Sequence, residues 1–305
     1  MTAPGGRAGA AGLTLAGDLG GTRMRAALID AAGRVVREET RPTPRDAPTA
    51  APFADLLARA GAGAEVAAAV VGIAGRIDHA RGLAENAPNL PGGWVAGLRA
   101  DALGERLGVP VQLANDADLA CVGEAFFGAA RGAADVVYMT VSTGLGAGAL
   151  VGGRLVRGRR SVAEVGHAVL DLTAALAGRP STCEELGSGT AAARHAAEAG
   201  LRATPAELVA LVRAGDARAI AAWERTTRAV GHAARNLAWL FGPEVIVVGG
   251  GLVNAGDLLL DPVRAIVGAR RPEPLPDPVP VRRAELGDRA GLVGAAAWGR
   301  AAGGA

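Results

Sequence analysis

The chain has 305 residues, half of them apolar but only 3% aromatic, so it is long enough for more than one domain and its core must be built from Ala, Val and Leu. A formal charge of +2 gives no strong pull toward nucleic acid or an anionic membrane. All 32 basic residues are arginine, which excludes a Schiff-base lysine, a lysine-dependent P-loop and an ATP pocket of the protein-kinase type.

The runs 13–17 and 25–30 read as paired strands joined by Asp18-Leu-Gly-Gly-Thr22. Adjacent glycines let a turn take φ > 0 and bring backbone N–H groups close to a ligand, a cradle for phosphate oxygens. Asp18 at the entrance is placed to hold Mg²⁺, directly or through water. An ordinary hairpin with a polar first residue has the same pattern. A helix is expected over 53–60 and a strand over 66–73, followed by the turn-rich loop Asn86-Ala-Pro-Asn89-Leu-Pro-Gly-Gly-Trp94. The strand 109–113 ends on Asn115-Asp116-Ala117-Asp118, which opens a helix over 117–127. A carboxylate at the C-terminal end of a strand faces the crevice where α/β proteins bind ligands, so Asp116 is a candidate base for a hydroxyl proton. Helix capping is open to Asn115, Asp116 and Asp118 alike.

Strands at 136–142 and 146–150 flank Gly144-Leu-Gly-Ala-Gly148, a second strand, glycine turn and strand. The recurrence suggests a duplicated architecture with a cleft between its halves. Glu164-Val-Gly-His167 sets a strong acceptor three residues from a group that donates or accepts, a pairing suited to a polyol, although a surface pair or a core histidine shows the same spacing. Helices are expected over 188–200, 205–214 and 217–241, the second capped by Thr204 with Pro205 at its first position. The apolar strand 245–249 runs into Gly249-Gly250-Gly251, which reads either as a side-chain-free surface for a planar ring or as a strand-to-helix turn. Early hairpins followed by alternating helices and strands define an α/β protein with a mixed sheet in each half. Cys121 and Cys183 make no disulfide framework. No stretch approaches the ~18 consecutive apolar residues of a membrane span, and the Gly/Ala-rich N-terminus lacks a signal-peptide core, so a soluble cytoplasmic protein is expected.

Taken in order, several segments resemble the ROK family of sugar kinases and sugar-responsive repressors, above all its bacterial glucokinases. They are Asp18-Leu-Gly-Gly-Thr22, Asn86-Ala-Pro-Asn-Leu-Pro91, Asn115-Asp-Ala117, Ser142-Thr-Gly-Leu-Gly146, Glu164-Val-Gly-His167, Ser188-Gly-Thr190, Pro243-Glu-Val-Ile-Val-Val-Gly-Gly-Gly251 and Leu286-Gly-Asp-Arg-Ala-Gly-Leu-Val-Gly-Ala295. The resemblance implies an actin-like (ribonuclease-H-like) ATPase fold, two lobes with mixed sheets around a cleft. The N-terminal lobe would span 1–116, completed by a C-terminal helix within 290–305, and the C-terminal lobe 117–289. It implies ATP-dependent phosphorylation of a hexose at its 6-hydroxyl, with glucose as acceptor. N-acetylmannosamine, N-acetylglucosamine, fructose or allose are alternative acceptors and polyphosphate an alternative donor. A homodimer is implied as well, with no nucleic acid or membrane partner. The family's repressors carry a helix-turn-helix ahead of the core; 17 residues before Asp18 are too few for one, so a kinase is expected rather than a regulator.

By the same resemblance Asp116 is the catalytic base. Asn115, Gly75, Arg76 and Asn89 belong to the sugar pocket, and Glu164 and His167 hold the sugar on its far side. Gly20, Gly21 and Thr22, and Thr143, Gly144 and Gly146, are phosphate cradles. Arg23 supplies a positive charge near phosphate where many relatives have lysine, Gly249, Gly250 and Gly251 form the nucleoside side, and Mg²⁺ comes with the nucleotide near Asp18. One departure stands out. The family's zinc motif groups cysteines as Cys-x-Cys-Gly-x-x-Gly-Cys before x-Glu, whereas this chain reads Gly178-Arg-Pro-Ser-Thr-Cys183-Glu-Glu-Leu-Gly-Ser188. Counting back from Ser188 puts Thr182 at the last cysteine. One thiolate and one histidine do not close a tetrahedral site, so no structural zinc is expected and His167 must be held by packing and hydrogen bonds. That register makes Glu184 the sugar-contacting glutamate, with Glu185 next.

Overall fold

A computed structural model describes residues 12–270, 275 and 277–302. The chain divides into two compact units. Residues up to Asp116 group with Ala295–Trp298, and Ala117–Gly294 group with the residues from Gly299 onward.

The first unit contains β1 (Leu13–Leu19), β2 (Arg23–Ile29), β3 (Val35–Pro42), α1 (Ala51–Gly61), β4 (Val66–Ile73), β5 (Arg76–Asp78), β6 (Leu83–Asn86), α2 (Trp94–Gly97), α3 (Ala100–Leu107) and β7 (Val111–Asn115). Its main sheet has the order β3-β2-β1-β4-β7. β1, β2 and β3 form an antiparallel meander, and β4 and β7 run parallel to β1. The interior strand β4 reads Val-Ala-Ala-Ala-Val-Val-Gly-Ile, and its second half, Ala69–Ile73, is buried on both faces. Phe53, Leu56, Leu57 and Ala60 are fully buried on α1 at the i, i+3, i+4, i+7 spacing of an amphipathic helix. A Cβ on Gly17 would lie 2.9 Å from the Phe53 ring, so glycine lets α1 settle onto β1. β3 escapes the sequence reading because it is an edge strand, Val-Val-Arg-Glu-Glu-Thr-Arg-Pro; its charges and Pro42 blunt an edge that would otherwise pair with another chain.

The second unit runs through α4 (Asp116–Phe127), β8 (Val136–Val141), β9 (Leu145–Val151), β10 (Arg154–Leu155), α5 (Leu172–Leu176), α6 (Cys183–Gly187), α7 (Gly189–Glu198), α8 (Pro205–Arg213), α9 (Ala217–Phe241), β11 (Val245–Gly249), α10 (Asp257–Val267), β12 (Val281–Arg283), α11 (Ala290–Gly294) and α12 (Trp298–Ala302). Its sheet has the order β10-β9-β8-β11-β12, again an antiparallel meander extended by parallel strands. β8 thus occupies the position that β1 holds in the first sheet, and both sheets share one topology, the duplication that the recurring glycine turns suggested. The 25-residue α9 starts where the Asp216 carboxylate accepts the N–H groups of Arg218 and Ala219 and ends where Gly242 turns left-handed at φ 55°.

The terminal segment expected as one helix is three pieces: α11, a 3₁₀ turn Ala295–Ala297, and α12. Two glycines bring its first piece to backbone contact with α4. A Cβ on Gly294 would run into the Leu119 carbonyl, and one on Gly123 into the Ala290 carbonyl. Fully buried Glu124 fixes the approach to α11, accepting the N–H groups of Ala129 at 2.8 Å, Glu285 at 3.1 Å and Leu286 at 2.8 Å. Among the described residues no helix is long and apolar enough to cross a membrane.

Candidate active site

In the first unit the Gly20–Thr22 turn joins β1 to β2. The Gly20 N–H donates to the Arg23 carbonyl at 3.0 Å, and Thr43 closes the turn from outside, its hydroxyl donating to the Gly20 carbonyl at 2.7 Å. A Cβ on Gly21 would collide with the Asn89 carbonyl, so glycine there lets the 86–91 loop lie directly on the turn. Asn89 is exposed, and its carbonyl accepts from Arg45 at 2.9 Å. Thr22 and Arg23 are exposed beside it. Asp18 faces Arg25 across the β1–β2 ladder, with Arg25 Nε 3.1 Å and Nη2 2.5 Å from Asp18 Oδ2.

Gly75 and exposed Arg76 turn the chain from β4 into β5, and a Cβ on Gly75 would strike the Asn86 carbonyl. Asn115, the last residue of β7, is 9% exposed and its amide donates to the Gly75 carbonyl at 3.0 Å. Strand β7 passes into α4 without an intervening residue, so Asp116 is the first residue of the helix. The positive end of the helix dipole favours the ionised carboxylate there.

In the second unit three further segments converge. The Ser142 N–H donates to the Gly144 carbonyl at 2.9 Å, closing the β8–β9 turn. Glu184, at the start of α6, reaches across so that its Oε2 accepts the Leu145 N–H at 2.9 Å, and a Cβ on Gly144 would lie 2.5 Å from that oxygen. Thr143 is held through its carbonyl by the Thr190 hydroxyl at 2.8 Å. A Cβ on Gly146 would make only ordinary contacts, the nearest 3.5 Å from Thr140. Glu164 precedes a 3₁₀ turn, Val165–His167, in which a Cβ on Gly166 would strike the Leu145 carbonyl. The Glu-x-Gly-His turn therefore packs on the hairpin turn, with Glu164 and His167 both exposed.

The structure separates the two adjacent glutamates. Glu185 accepts the N–H groups of Ser181 at 2.9 Å and Thr182 at 3.0 Å in a capping box that starts α6, and these bonds hold its carboxyl below the usual range. The segment where the family's zinc motif would lie is closed by hydrogen bonds. Leu170 N–H donates to the Ser181 carbonyl at 2.8 Å, Cys183 N–H to the Ala168 carbonyl at 2.9 Å, and Asp171 caps α5 through the Ala174 N–H. Cys183 is fully buried and burial pushes its thiol up to about 11, while His167 is exposed; this pair does not fit a zinc site. Mg²⁺ makes a different demand, one or two carboxylates plus the phosphates it accompanies, and Asp18 fits it as a partly exposed oxygen donor beside the Gly20–Thr22 turn.

A pocket of about 750 Å³ opens beside the hairpin turn. Ser142, Thr143, Gly189, Thr190, Ala193, Pro205, Val209, Trp223, Gly251, Leu252 and Asn254 line it, a largely apolar wall of the size that takes a nucleoside. Of the glycine triplet only Gly251 faces this space. Gly249 is taken up against Tyr138, and Gly250, at φ 85°, would put a Cβ 2.5 Å from the Val141 carbonyl. Sequence reasoning gave no role to Thr190, Val209, Trp223 or Asn254. The Ser142-Thr143, Ser188-Gly-Thr190 and Gly249–Gly251 segments were the signals pointing to this wall.

Duplicated α/β sheets, each with a glycine turn at its first hairpin, define an actin-like ATPase fold. A profile of the ROK family matches residues 14–302, and the chain belongs to that family. The glucokinase of Streptomyces coelicolor is 34% identical, with 93% of this chain and 96% of that protein aligned. A crystal structure of a ROK glucokinase from Streptomyces griseus, in complex with glucose and AMPPNP, is 34% identical at a TM-score of 0.77, covering 95% of this chain and 99% of that one. An N-acetylmannosamine kinase of Yersinia pseudotuberculosis is 29% identical over 95% of this chain and 99% of that protein.

Proposed function

We propose that this ROK protein, a sugar kinase, transfers the γ-phosphoryl group of ATP to the 6-hydroxyl of a hexose, and that the hexose is glucose. The observation that carries the reading is the convergence in the second unit. Gly144, Leu145, Gly166 and Glu184 meet at one place, next to a pocket of nucleoside size. Glucose as the acceptor is supported by the glucokinase of 34% identity aligned over nearly its whole length and by the glucose-bound ROK glucokinase structure at the same identity.

Asp116 takes the proton from the attacking hydroxyl, kept ionised by its place at the start of α4. Asn115, buried and tied to Gly75, fixes the segment that carries it. Gly75, Arg76 and Asn89 complete the sugar side in the first unit, and Glu164, His167 and Glu184 offer hydroxyl acceptors in the second. In the Gly20–Thr22 and Thr143–Gly146 turns the amides other than those of Gly20, bound to Arg23, and Leu145, bound to Glu184, are offered to the phosphates, with Arg23 as a nearby positive charge. Mg²⁺, when bound with the nucleotide near Asp18, supplies neutralisation of phosphate charge. The rate comes from positioning and charge stabilisation rather than from a covalent protein intermediate. The protein works as a cytoplasmic homodimer, for which exposed Trp239 and Leu240 at the end of α9 offer an apolar face.

The test is a coupled ADP-release assay over a panel of hexoses and amino sugars, with polyphosphate as an alternative donor. Glucose with ATP is expected to give the highest kcat/KM. A higher value for N-acetylmannosamine would move the acceptor, and no turnover with any sugar would end the kinase reading.

A further inference from the structure

Asp18 carries a charge partner that the proposed chemistry does not use. Arg25 stands directly opposite it in the antiparallel β1–β2 ladder, so both side chains leave the same face of the sheet. The Arg25 side chain is 8% exposed and that of Asp18 27%. Two of the Arg25 guanidinium nitrogens reach Asp18 Oδ2, Nε at 3.1 Å and Nη2 at 2.5 Å. Arg25 is thus a buried, permanently charged group within contact distance of a carboxylate that opens the phosphate turn.

We propose that Arg25 is a built-in counter-cation that sets how strongly Asp18 attracts the donor's divalent metal. This rests on the proposed kinase reading, in which Asp18 holds that metal. A carboxylate already accompanied by a guanidinium presents a nearly neutral pair to an approaching dication. Alone, the dication meets the guanidinium charge as well as the carboxylate, so it gains little at Asp18. Accompanied by phosphates, it brings its own negative partners and the repulsion is offset. Arg25 thereby makes metal occupancy depend on nucleotide, and the free protein is kept from loading metal first.

The measurement is Mn²⁺ binding by electron paramagnetic resonance, without sugar or turnover, with circular dichroism to check folding. Glutamine at position 25 keeps a hydrogen-bond donor and removes the charge. A unit charge ~6 Å from a dication alters affinity by about tenfold even at the dielectric of bulk water. Arg25→Gln is therefore expected to bind free Mn²⁺ at least about tenfold more tightly than wild type, and Arg25→Lys to stay near wild type. Asp18→Asn is expected to leave free Mn²⁺ binding nearly unchanged in the wild-type background, yet to abolish the gain in the Arg25→Gln background, a coupling between the two sites. A purely structural Arg25 would shift the melting temperature and leave these affinities alone. A folded Arg25→Gln variant with wild-type Mn²⁺ affinity overturns the proposal. If Arg25→Gln does not fold, wild type against Asp18→Asn decides: a large loss of free Mn²⁺ binding in Asp18→Asn overturns it, and no loss supports it. Failure of the kinase reading would show separately, as absence of ADP release with every sugar.

Discussion

Asp116→Asn divides a catalytic carboxylate from a helix-starting one. Asp116 is the first residue of α4, so its charge contributes to stability through the helix dipole, a contribution of about 0.3–1 kcal/mol at such a position. Asparagine keeps the size and most of the hydrogen bonding, so the variant forgoes at most that amount. For a protein of this size that is a melting shift of at most about 2 °C. The catalytic loss is of another order. Removing a positioned general base costs roughly 10²–10⁴ in rate, or about 3–5 kcal/mol at the barrier. The assay is ADP release at saturating glucose and ATP, with glucose affinity by calorimetry and melting by scanning fluorimetry. The expected result is a collapse of kcat with glucose affinity and melting temperature close to wild type. A kcat within about fivefold of wild type would remove Asp116 from the mechanism, since a base in contact with the reacting hydroxyl cannot be so nearly dispensable.

Glu124→Ala leaves the buried N–H of Ala129 and the part-buried N–H groups of Glu285 and Leu286 without their acceptor, and is expected to cost about 1–3 kcal/mol. An unchanged urea midpoint would show that water replaces the carboxylate. His195, on α7 against Thr226, has its pKa brought down to about 4, first by burial and then by Arg225 and Arg194. The native state keeps this imidazole neutral while the unfolded chain protonates below its ordinary value. Stability is therefore lost as pH falls from about 6.5 toward 4, by up to about 3 kcal/mol. Urea midpoints of His195→Gln at several pH values should show a flatter decline over that window, and an identical slope would discard the assignment. Chelation with EDTA in the absence of nucleotide is expected to move the melting temperature by no more than on the order of 1 °C, because hydrogen bonds close the 168–183 segment. A fall of several degrees reversed by added zinc would reveal a bound metal.

The sequence made some elements legible to the residue. β4, β11 and α9 match their expected bounds, the strands because a buried parallel strand is a continuous apolar run and the helix because Asp216 and Gly242 mark its ends. α10 went unread because Pro262 lies inside it, and β3, β5, β6 and β12 because they are short or charged. Close approaches were legible only in part. The glycines of the Asp18–Thr22 motif announced a tight turn, but that Gly21 admits Asn89 depends on a contact 68 residues away in the chain (89 − 21). Gly249 and Gly250 were read as ligand-facing, and a Cβ at either would meet Tyr138 or Val141, so packing alone already demands glycine there. The nucleoside-sized pocket was legible only at its glycine and threonine turns. Its wall is assembled from α7, α8, α9 and the turn after β11, and no local pattern records which helix faces will meet.

Glu184 and Glu185 show how neighbouring carboxylates acquire different work. A helix N-terminus leaves N–H groups without intrahelical partners, and the capping box uses Thr182 and Glu185 to satisfy part of that demand. Glu185 is committed through its Oε2 to Ser181 and Thr182, which ties its carboxylate to the start of α6. The same cap fixes the rotation of the first helical turn, and with it the direction in which Glu184 leaves the backbone. Glu184 then lies against the β8–β9 turn, where the Leu145 N–H holds one of its oxygens. A segment with one cysteine in place of a cysteine cluster still presents a glutamate beside the hairpin. The cap and the 168–183 backbone bonds hold that segment in place.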